Sequence, residues 1–288
     1  PTRRDILHGL VAVDAIVDRF ALDYDRMGCD SLFVPVISHD GIRLPIDTIC
    51  HRLNQIRPLR FVVVDGAQAL GHISQELGLR HSDVFIAGSH KWLQGHLPMG
   101  VAFLPRVASA RSTMVQTERM IRHGDLDDPL LAFTREMITG RTHPYSETVS
   151  LASLFTCRAA ITDCGLSPDE VEPQLGHRLR NAERIKRYAA EAEWPSLPQV
   201  MPTGMVILQA ECPGVRAAAP ERIREFFVAH SVSISTYEDG IIRLAMPVRP
   251  LSRGEIDLLK WVLWQCRFDD VEELRPSRYG RSALAQAV

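Results

Sequence analysis

The stretch from Phe61 to Leu93 holds the residues of this sequence whose types and spacing are best suited to chemistry. It reads FVVVDGAQALGHISQELGLRHSDVFIAGSHKWL and places Asp65 and Lys91 each at the end of an apolar run. Lysine is rare, because the 33 lysine and arginine residues are all arginines except Lys91, Lys186 and Lys260. This sparing use indicates that at least one of the three lysines is kept for the chemistry of its amine.

Asp65 and Lys91 follow two segments, FVVVD and DVFIAGSH, that have the pattern of buried β-strands. In an open parallel sheet, the carboxyl ends of the strands face the crevice in which ligands bind. An amine at such a strand end can form an imine with an aldehyde, and a carboxylate can keep a pyridine nitrogen protonated so that the ring accepts electrons. The pair therefore predicts a site for pyridoxal 5'-phosphate (PLP).

The elements around this pair alternate between helix and strand, as in an α/β protein. Helical spacing of apolar residues occurs in DILHGLVAVDAIVDRF, PIDTICHRLNQI and the short ISQELGL, and strand patterns occur in SLFVPVIS, RFVVVDG, SDVFIAGS and GVAFLP. We expect a mainly parallel sheet with helices on its faces.

A long predicted helix, ETVSLASLFTCRAAITDCGL, ends near Gly165, and the pattern restarts after it. The later segments are the helices DEVEPQLGHRLRNAERIKRYAAEAE, PERIREFFVAHS and RGEIDLLKWVLWQC and the strands GMVILQAEC, SVSIST and GIIRLAMP. We therefore expect a large cofactor-binding domain over residues 1–165 and a smaller α+β domain, with a C-terminal tail, over residues 166–288.

The composition excludes several classes of protein. The chain has 288 residues, 45% hydrophobic and 24% charged, with a formal net charge of −2 and no basic run, so nothing predicts binding to nucleic acid or to an anionic membrane. No apolar stretch has the length that a bilayer requires, and the N-terminus lacks a signal-peptide pattern. The six cysteines lack CxxC or Cys/His ligand spacing, which predicts reduced thiols in the cytoplasm and no metal site.

The segments DGAQALGHI and AGSHKWL resemble the class V aminotransferase family, which consists of fold-type I PLP enzymes such as cysteine desulfurases, selenocysteine lyases, isopenicillin-N-epimerase-like proteins and kynureninases. The resemblance is specific between Asp65 and Leu93 and extends more loosely from SHDGIRLPI to the last helix. It implies a fold-type I α/β architecture with a large PLP-binding domain and a smaller C-terminal domain.

The resemblance also implies roles for individual residues. Lys91 is the expected Schiff-base lysine and Asp65 the expected partner of the pyridinium nitrogen. The other expected cofactor contacts are Gln68 at the phenolic oxygen, Ala67 on one ring face, and Ser89 and His90 at the phosphate.

Two further segments resemble the family outside this stretch. TGRTHPY is similar to the segment whose threonine reaches the phosphate of the neighbouring subunit, which implies that Thr142 does so in a homodimer with shared sites; Arg141 stands where glycine is commoner. GIIRLAMP is similar to the segment whose arginine binds the substrate carboxylate, which implies this role for Arg243, since a guanidinium can fork onto a carboxylate.

The sequence departs from the family pattern in two places. The desulfurases carry a nucleophilic cysteine shortly before the arginine strand, and STYEDG in this position has none, which disfavours cysteine desulfuration. Upstream of Asp65, the phosphate loop and the residue that stacks on the ring are not identifiable, so either an N-terminal part of the large domain is missing, as we expect, or the cofactor site is incomplete. The roles of His39 and Cys212 are left open.

The expected function is therefore PLP-dependent chemistry at the amino group or α-carbon of an amino-acid-like substrate, of the class V aminotransferase type. A PLP-dependent C–S lyase or epimerase of the same family is an alternative, because aminotransfer, elimination and epimerisation begin alike. A catalytically silent scaffold with this fold is an alternative of another class. A nucleotide-binding enzyme is disfavoured because no GxGxxG follows a strand.

Overall fold

The computed structural model describes residues 5–6, 9, 11–74, 77–126, 128–140, 149–199 and 201–267. These residues form two compact units. The four-stranded unit comprises Phe20–Val36 and Pro45–Ser167, and the three-stranded unit groups the described residues of Pro1–Arg19, Ile37–Leu44 and Pro168–Val288. The sequence analysis assigned the first two of these segments, Pro1–Arg19 and Ile37–Leu44, to the large domain of residues 1–165.

The helices in chain order are α1 (Val13–Met27), α2 (Ile46–Ile56), α3 (Val107–His123), α4 (Pro129–Thr139), α5 (Ala152–Cys164), α6 (Pro168–Glu191), α7 (Pro213–Ala217), α8 (Pro220–Ala229) and α9 (Arg253–Gln265). The strands are β1 (Ser31–Pro35), β2 (Phe61–Asp65), β3 (Val84–Gly88), β4 (Gly100–Phe103), β5 (Met205–Gln209), β6 (Ser235–Tyr237) and β7 (Ile241–Ala245). None of the described helices is both long and apolar enough to cross a membrane.

The sheet of the four-stranded unit has the order β1-β2-β3-β4. β1, β2 and β3 are parallel, and β4 runs antiparallel to β3. The mainly parallel sheet is therefore confirmed, and α2 supplies the crossover that a parallel connection between β1 and β2 requires. This helix forms because its apolar residues recur on one side, where Ile46, Ile49, Cys50 and Leu53 are buried.

The two faces of this sheet differ in burial. Side chains alternate along each strand, and one face contains the buried residues Val34, Val62, Val64, Phe85 and Ala87. The opposite face, here called the open face, contains Phe33, Phe61, Val63, Val84 and Ile86, none of which is buried. Since parallel sheets are usually covered on both faces, this apolar open face is unusual.

Three helices and one turn differ from the sequence-based expectations. α3, α4 and the short α7 were not predicted, and neither α3 nor α4 contains a buried residue. The predicted short helix ISQELGL is wrong for the described residues 73–74 and 77–79, which are not helical, and residues 75–76 lie outside the described ranges. A segment of seven residues is too short to be a stable helix without strong tertiary packing.

The three-stranded unit contains an antiparallel sheet in the order β5-β7-β6. Its core includes the fully buried Phe226, Phe227, Ile242 and Val262 from the sheet and the surrounding helices, together with Trp194 from the segment that follows α6. The strands and helices predicted from Met205 onwards are present, although β6 begins at Ser235, four residues after the start of the predicted strand SVSIST. This unit also includes the turn of residues 37–44, in which Ile37 pairs with Arg43 and the Ser38 N–H donates to the Ile42 carbonyl at 2.8 Å.

Candidate functional site

Asp65 is the last residue of β2, the second strand of the four-stranded sheet. It lies opposite Pro35 of β1 and Ile86 of β3 in the parallel register. Its carboxylate therefore projects from the carboxyl end of an inner strand and on the open face, because it is in phase with Val63 along the strand. This is the edge of an open parallel sheet at which ligands bind.

The backbone turns sharply after Asp65. The carboxylate Oδ1 accepts a hydrogen bond from the Ala67 N–H at 2.8 Å, and the Gly66 N–H donates to the Ile86 carbonyl at 2.7 Å. A Cβ atom at Gly66 would overlap the ring of Phe85, so this position tolerates only glycine. The local turn uses one oxygen of Asp65, and within the described ranges the other oxygen, Oδ2, has no hydrogen-bond partner.

Lys91 lies in the turn that follows β3. The Ser89 N–H donates to the Met99 carbonyl at 2.9 Å, the Gly95 N–H donates to the Ser89 carbonyl at 2.8 Å, and the Gln94 N–H donates to the Lys91 carbonyl at 3.1 Å. These bonds close the segment on itself and leave the side chains of His90 and Lys91 exposed. The turn thus presents the Lys91 amine at the carboxyl end of the strand beside β2.

Lys91 differs from the other two lysines in its partners. Lys186 forms an ion pair with Glu183 at 2.8 Å, and Lys260 forms one with Glu191. Lys91 has no ion pair with any residue in the described ranges. Its amine is consequently the lysine amine that remains available for a reaction with a ligand in this part of the chain.

The hydroxyl of Ser89 is buried and has no hydrogen-bond partner among the described residues. A buried hydroxyl without a partner carries a desolvation cost, which is removed when a ligand supplies an acceptor. A Cβ atom at Gly95 would lie 3.0 Å from both the carbonyl oxygen and the hydroxyl oxygen of Ser89. Glycine at position 95 therefore permits a close approach of this backbone to Ser89, and the unused hydroxyl donor fits the expected phosphate contact of Ser89.

Gln68 is held by a residue from the neighbouring turn. The Trp92 indole N–H donates to Gln68 Oε1 at 2.9 Å, and the Trp92 ring stacks on the ring of His72 with 3.6 Å between centroids. His72 is fully buried, and its Nδ1 lies 2.9 Å from the Gln68 carbonyl. The sequence analysis assigned Gln68 but missed Trp92 and His72. The position of Trp92 directly after Lys91 is the signal that could have indicated a role for it in the site.

Arg243 lies in the three-stranded unit, on β7. Its Nη2 donates to Ser235 Oγ at 2.8 Å and its Nη1 donates to the His39 carbonyl. The Tyr237 hydroxyl donates to the same carbonyl at 2.6 Å. A guanidinium has five N–H donors, so these two bonds leave donors for a further acceptor.

Thr142 and Cys212, which were named from the sequence, and the buried thiol of Cys50 add little to the site. Thr142, with Arg141 beside it, lies outside the described residues. Cys212 is a half-buried free thiol, and its Sγ is 3.9 Å from the Arg267 carbonyl. Burial raises the pKa of Cys50 to about 12, which keeps this thiol protonated and unreactive.

Known proteins match this chain in structure but not in sequence. A scan against protein-family models found no match, and a search of curated proteins found no significant match. The chain is similar to alanine–glyoxylate aminotransferase from Nostoc sp., with a TM-score of 0.60 and 12% identity over 89% of this chain and 65% of that chain.

Two further solved structures show the same similarity. Cysteine desulfurase from Thermococcus onnurineus NA1 matches with a TM-score of 0.58 and 15% identity over 90% of this chain and 64% of that chain. Serine palmitoyltransferase from Sphingomonas wittichii matches with a TM-score of 0.54 and 11% identity over 88% of this chain and 58% of that chain.

These enzymes are fold-type I PLP enzymes, and their similarity to the chain confirms the fold-type I α/β architecture expected from the sequence. At these identities the similarity establishes the fold alone. The chain spans only 58–65% of the length of these three enzymes, which agrees with a fold-type I architecture of which a part is not included.

Proposed function

We propose that this protein is a PLP-dependent enzyme of the class V aminotransferase type, acting at the amino group or α-carbon of an amino-acid-like substrate. The observation that carries the proposal is the position of Lys91 in the turn after β3. This lysine has no ion pair within the described ranges, and the neighbouring strand ends in Asp65. The fold supports the proposal, because one of the matching structures is described as that of SPT, a protein determined with a PLP internal aldimine.

The described residues fit this cofactor. The unpartnered Ser89 hydroxyl would donate to a phosphate oxygen, and Gln68 Nε2 would donate to the phenolic oxygen. Asp65 Oδ2 would accept from the protonated pyridine nitrogen, while Oδ1 keeps its bond to the Ala67 N–H. His90 is exposed in the same turn as Ser89, and we assign it to the phosphate as well.

PLP supplies an aldehyde that condenses with amines and a ring that withdraws electrons from the substrate α-carbon. Lys91 would provide the amine that holds the cofactor. It would then release the cofactor to the amine of the substrate and afterwards move a proton at the α-carbon. Asp65 would keep the proton on the ring nitrogen by its negative charge. Arg243 would bind the substrate carboxylate through its remaining N–H donors.

The reaction that follows proton removal distinguishes members of this class. Aminotransfer is the leading proposal, and C–S elimination or epimerisation is the alternative. A catalytically silent scaffold is the proposal of another class. It is compatible with the exposed position of Lys91, since an exposed lysine after a strand is also an ordinary solvated charge.

The proposal includes a homodimer with shared sites, in which Thr142 reaches the partner's cofactor phosphate. Support comes from the surface of the four-stranded unit, because α3 and α4 have no buried residue. Met137 and Ile138 at the end of α4 are each 66% exposed, and apolar side chains of this kind are typical of interfaces between subunits. The proposal also includes a cytoplasmic location, which the six free cysteines favour.

An absorbance spectrum of the purified protein with PLP, followed by borohydride reduction and peptide mapping, tests the central proposal. We expect a visible band and a pyridoxyl label on Lys91. Lys186→Ala and Lys260→Ala should keep both signals, and Lys91→Ala should lose the label. A protein without a visible band would be the scaffold, and a label on Lys186 or Lys260 would overturn the site assignment.

A further inference from the structure

We propose that Trp92 is a positioning residue that fixes the side-chain amide of Gln68 so that its two amide N–H groups face the cofactor. This inference rests on the proposed PLP function. It adds a residue that contacts no reacting atom and acts through Gln68. The inference begins from the hydrogen bond between the Trp92 indole N–H and Gln68 Oε1, which is 2.9 Å long.

The direction of this hydrogen bond determines the orientation of the amide. An indole nitrogen can only donate, so the atom that faces it must be the oxygen of the glutamine. The two ends of a glutamine amide are nearly the same in shape, and an amide without partners can present either end. Because Trp92 holds Oε1, Nε2 is the end that remains, and within the described part of the chain Nε2 has no hydrogen-bond partner.

Trp92 is itself held in place. Its side chain is only 8% exposed, and its ring is nearly parallel to the ring of His72, with 18° between their planes. His72 is completely buried, and its Nδ1 must carry the hydrogen that is donated to the Gln68 carbonyl at 2.9 Å, because a carbonyl only accepts. Trp92 therefore contacts the Gln68 side chain and stacks on His72, and His72 binds the Gln68 backbone, so the three residues form a closed arrangement.

This arrangement also joins the two turns that carry the charged site residues. Gln68 follows Asp65 by three positions, and Trp92 follows Lys91 directly. A bond between Gln68 and Trp92 therefore limits how far the turn after β2 can move relative to the turn after β3. Positioning of this kind reduces the reorganisation that ligand binding would otherwise require.

The chemistry of the oriented amide identifies its ligand atom. Two N–H donors with no acceptor on the same side match an acceptor oxygen, and they bind it more strongly when it carries negative charge, as the phenolate oxygen of PLP does. When this oxygen loses a donor it becomes more basic, and it holds the proton that it shares with the adjacent nitrogen up to a higher pH. The visible band of the bound cofactor should report this change.

Four variants test the inference: Trp92→Phe, Gln68→Ala, Gln68→Glu and the double variant Trp92→Phe/Gln68→Ala. Phenylalanine keeps an aromatic ring beside His72 but has no N–H. Glutamate keeps the acceptor for Trp92 but presents no donor to the cofactor. Trp261→Phe is the matched control, because Trp261 is 47% exposed on α9 of the three-stranded unit.

We expect Trp92→Phe to weaken PLP binding by about tenfold, in the range that loss of one hydrogen bond produces, and to raise the pH midpoint of the visible band. Gln68→Glu should have at least as large an effect. In the Gln68→Ala background, Trp92→Phe should have no further effect, because Trp92 acts only through Gln68. Full PLP affinity and an unchanged pH midpoint in Trp92→Phe, together with a clear loss in Gln68→Ala, would overturn the positioning role.

The protein without cofactor provides an independent measurement. The chain has four tryptophans, and the indole N–H signal of Trp92 in a nitrogen–proton correlation spectrum is identified by its disappearance in Trp92→Phe. This signal should be protected from solvent exchange in the wild type and in Gln68→Glu, and it should lose protection in Gln68→Ala. An indole signal that is insensitive to Gln68→Ala would refute the contact, whether or not the protein binds PLP. A wild-type protein that does not bind PLP would overturn both proposals, even with the indole signal as expected.

Discussion

Arg243 of β7 donates a guanidinium N–H to the backbone carbonyl of His39, which lies 204 residues earlier in the chain. The Tyr237 hydroxyl donates to the same oxygen. A charged side chain in an apolar strand needs a partner, and this carbonyl and Ser235 provide two. Arg243 therefore stabilises the turn of residues 37–44 in addition to any contact that it makes with a substrate.

Arg243→Lys should keep the positive charge but lose the forked geometry, and should weaken transition-state binding of a carboxylate substrate by roughly 1–3 kcal/mol. Arg243→Ala should lose more, with the visible band of the cofactor unaltered. Steady-state kinetics and urea unfolding measure the two effects separately. Tyr237→Phe is the control, since it removes a bond to the same His39 carbonyl without removing a charge. Equal losses of stability in Arg243→Ala and Tyr237→Phe, with normal substrate binding in both, would make Arg243 purely structural.

Asp65→Asn should leave the fold and PLP binding largely intact while lowering kcat by at least about tenfold. Asparagine keeps an oxygen that can accept from the Ala67 N–H, so the turn after β2 is preserved. A neutral amide cannot hold the proton on the pyridine nitrogen, so the ring withdraws electrons less strongly. Stopped-flow measurement of the first chemical step is the decisive readout, and an unchanged rate would count against the role of Asp65.

The proposed homodimer should depend on the exposed end of α4. Replacing Met137 and Ile138 together by glutamate should shift the protein to monomers in sedimentation velocity, because charges are strongly disfavoured in the core of an interface. Val228→Glu on α8 is the matched control, since Val228 is also exposed, at 57%, and lies in the three-stranded unit. A wild-type monomer that binds PLP fully would contradict the shared-site proposal.

Asn181 is a polar side chain buried in α6. Its Nδ2 donates to the carbonyls of Pro247 and Arg249 at 2.9 and 2.8 Å, and its Oδ1 accepts from the Leu251 N–H at 3.2 Å. Asn181→Leu should lower the free energy of unfolding by about 3 kcal/mol, since these backbone groups lose their partner. Asn54→Leu should cost less than about 1 kcal/mol, because water replaces the bonds of this exposed asparagine. Equal losses of unfolding free energy for the two variants, measured in urea, would show that the burial of Asn181 does not matter.

Glu255 makes stability depend on pH. Hydrogen bonds from Arg249, followed by those from Ser252, lower the pKa of Glu255 to about 2 in the folded protein. The unfolded value is about 4.3, so this stabilisation is complete above about pH 4.3 and is lost as the pH falls towards 2. Unfolding free energies of the wild type and Glu255→Gln should therefore differ at pH 7 and converge as the pH falls through this range. A difference that is the same at pH 7 and pH 3 would contradict the assignment.

The parallel part of the fold could be predicted because its signals are local. The apolar runs of β1, β2 and β3 are long enough to identify, and the strand-end rule then brings Asp65 and Lys91 to one edge. The caps of α4 were also visible in the sequence, as Asp128 before Pro129 and Gly140 at the end. Its segment PLLAFTREMIT also carries apolar residues at steps of three and four, at Leu130, Phe133 and Met137, so the signals for α4 were present in the sequence although the helix was not predicted.

The remaining features depend on contacts between distant residues. The Trp92–Gln68 bond joins residues 24 apart in the sequence, and neither residue type alone indicates such a bond. The turn of residues 37–44 belongs to the three-stranded unit, partly because Tyr237 and Arg243 bind its backbone, and its own sequence contains no such signal. Contacts of this kind are set by tertiary packing, which periodicity does not report.

The open face of the four-stranded sheet has a consequence for the chain in solution. Phe33 is 66% exposed and Phe61 39% exposed, and β1 is the outermost strand on its side of the sheet. An apolar surface beside an edge strand attracts other chains and fluorescent hydrophobic dyes. Sulfate and similar salts strengthen this attraction, and low concentrations of urea weaken it. We therefore expect the side of the sheet from which Asp65 projects to contribute to dye binding and to salt-dependent association of this polypeptide.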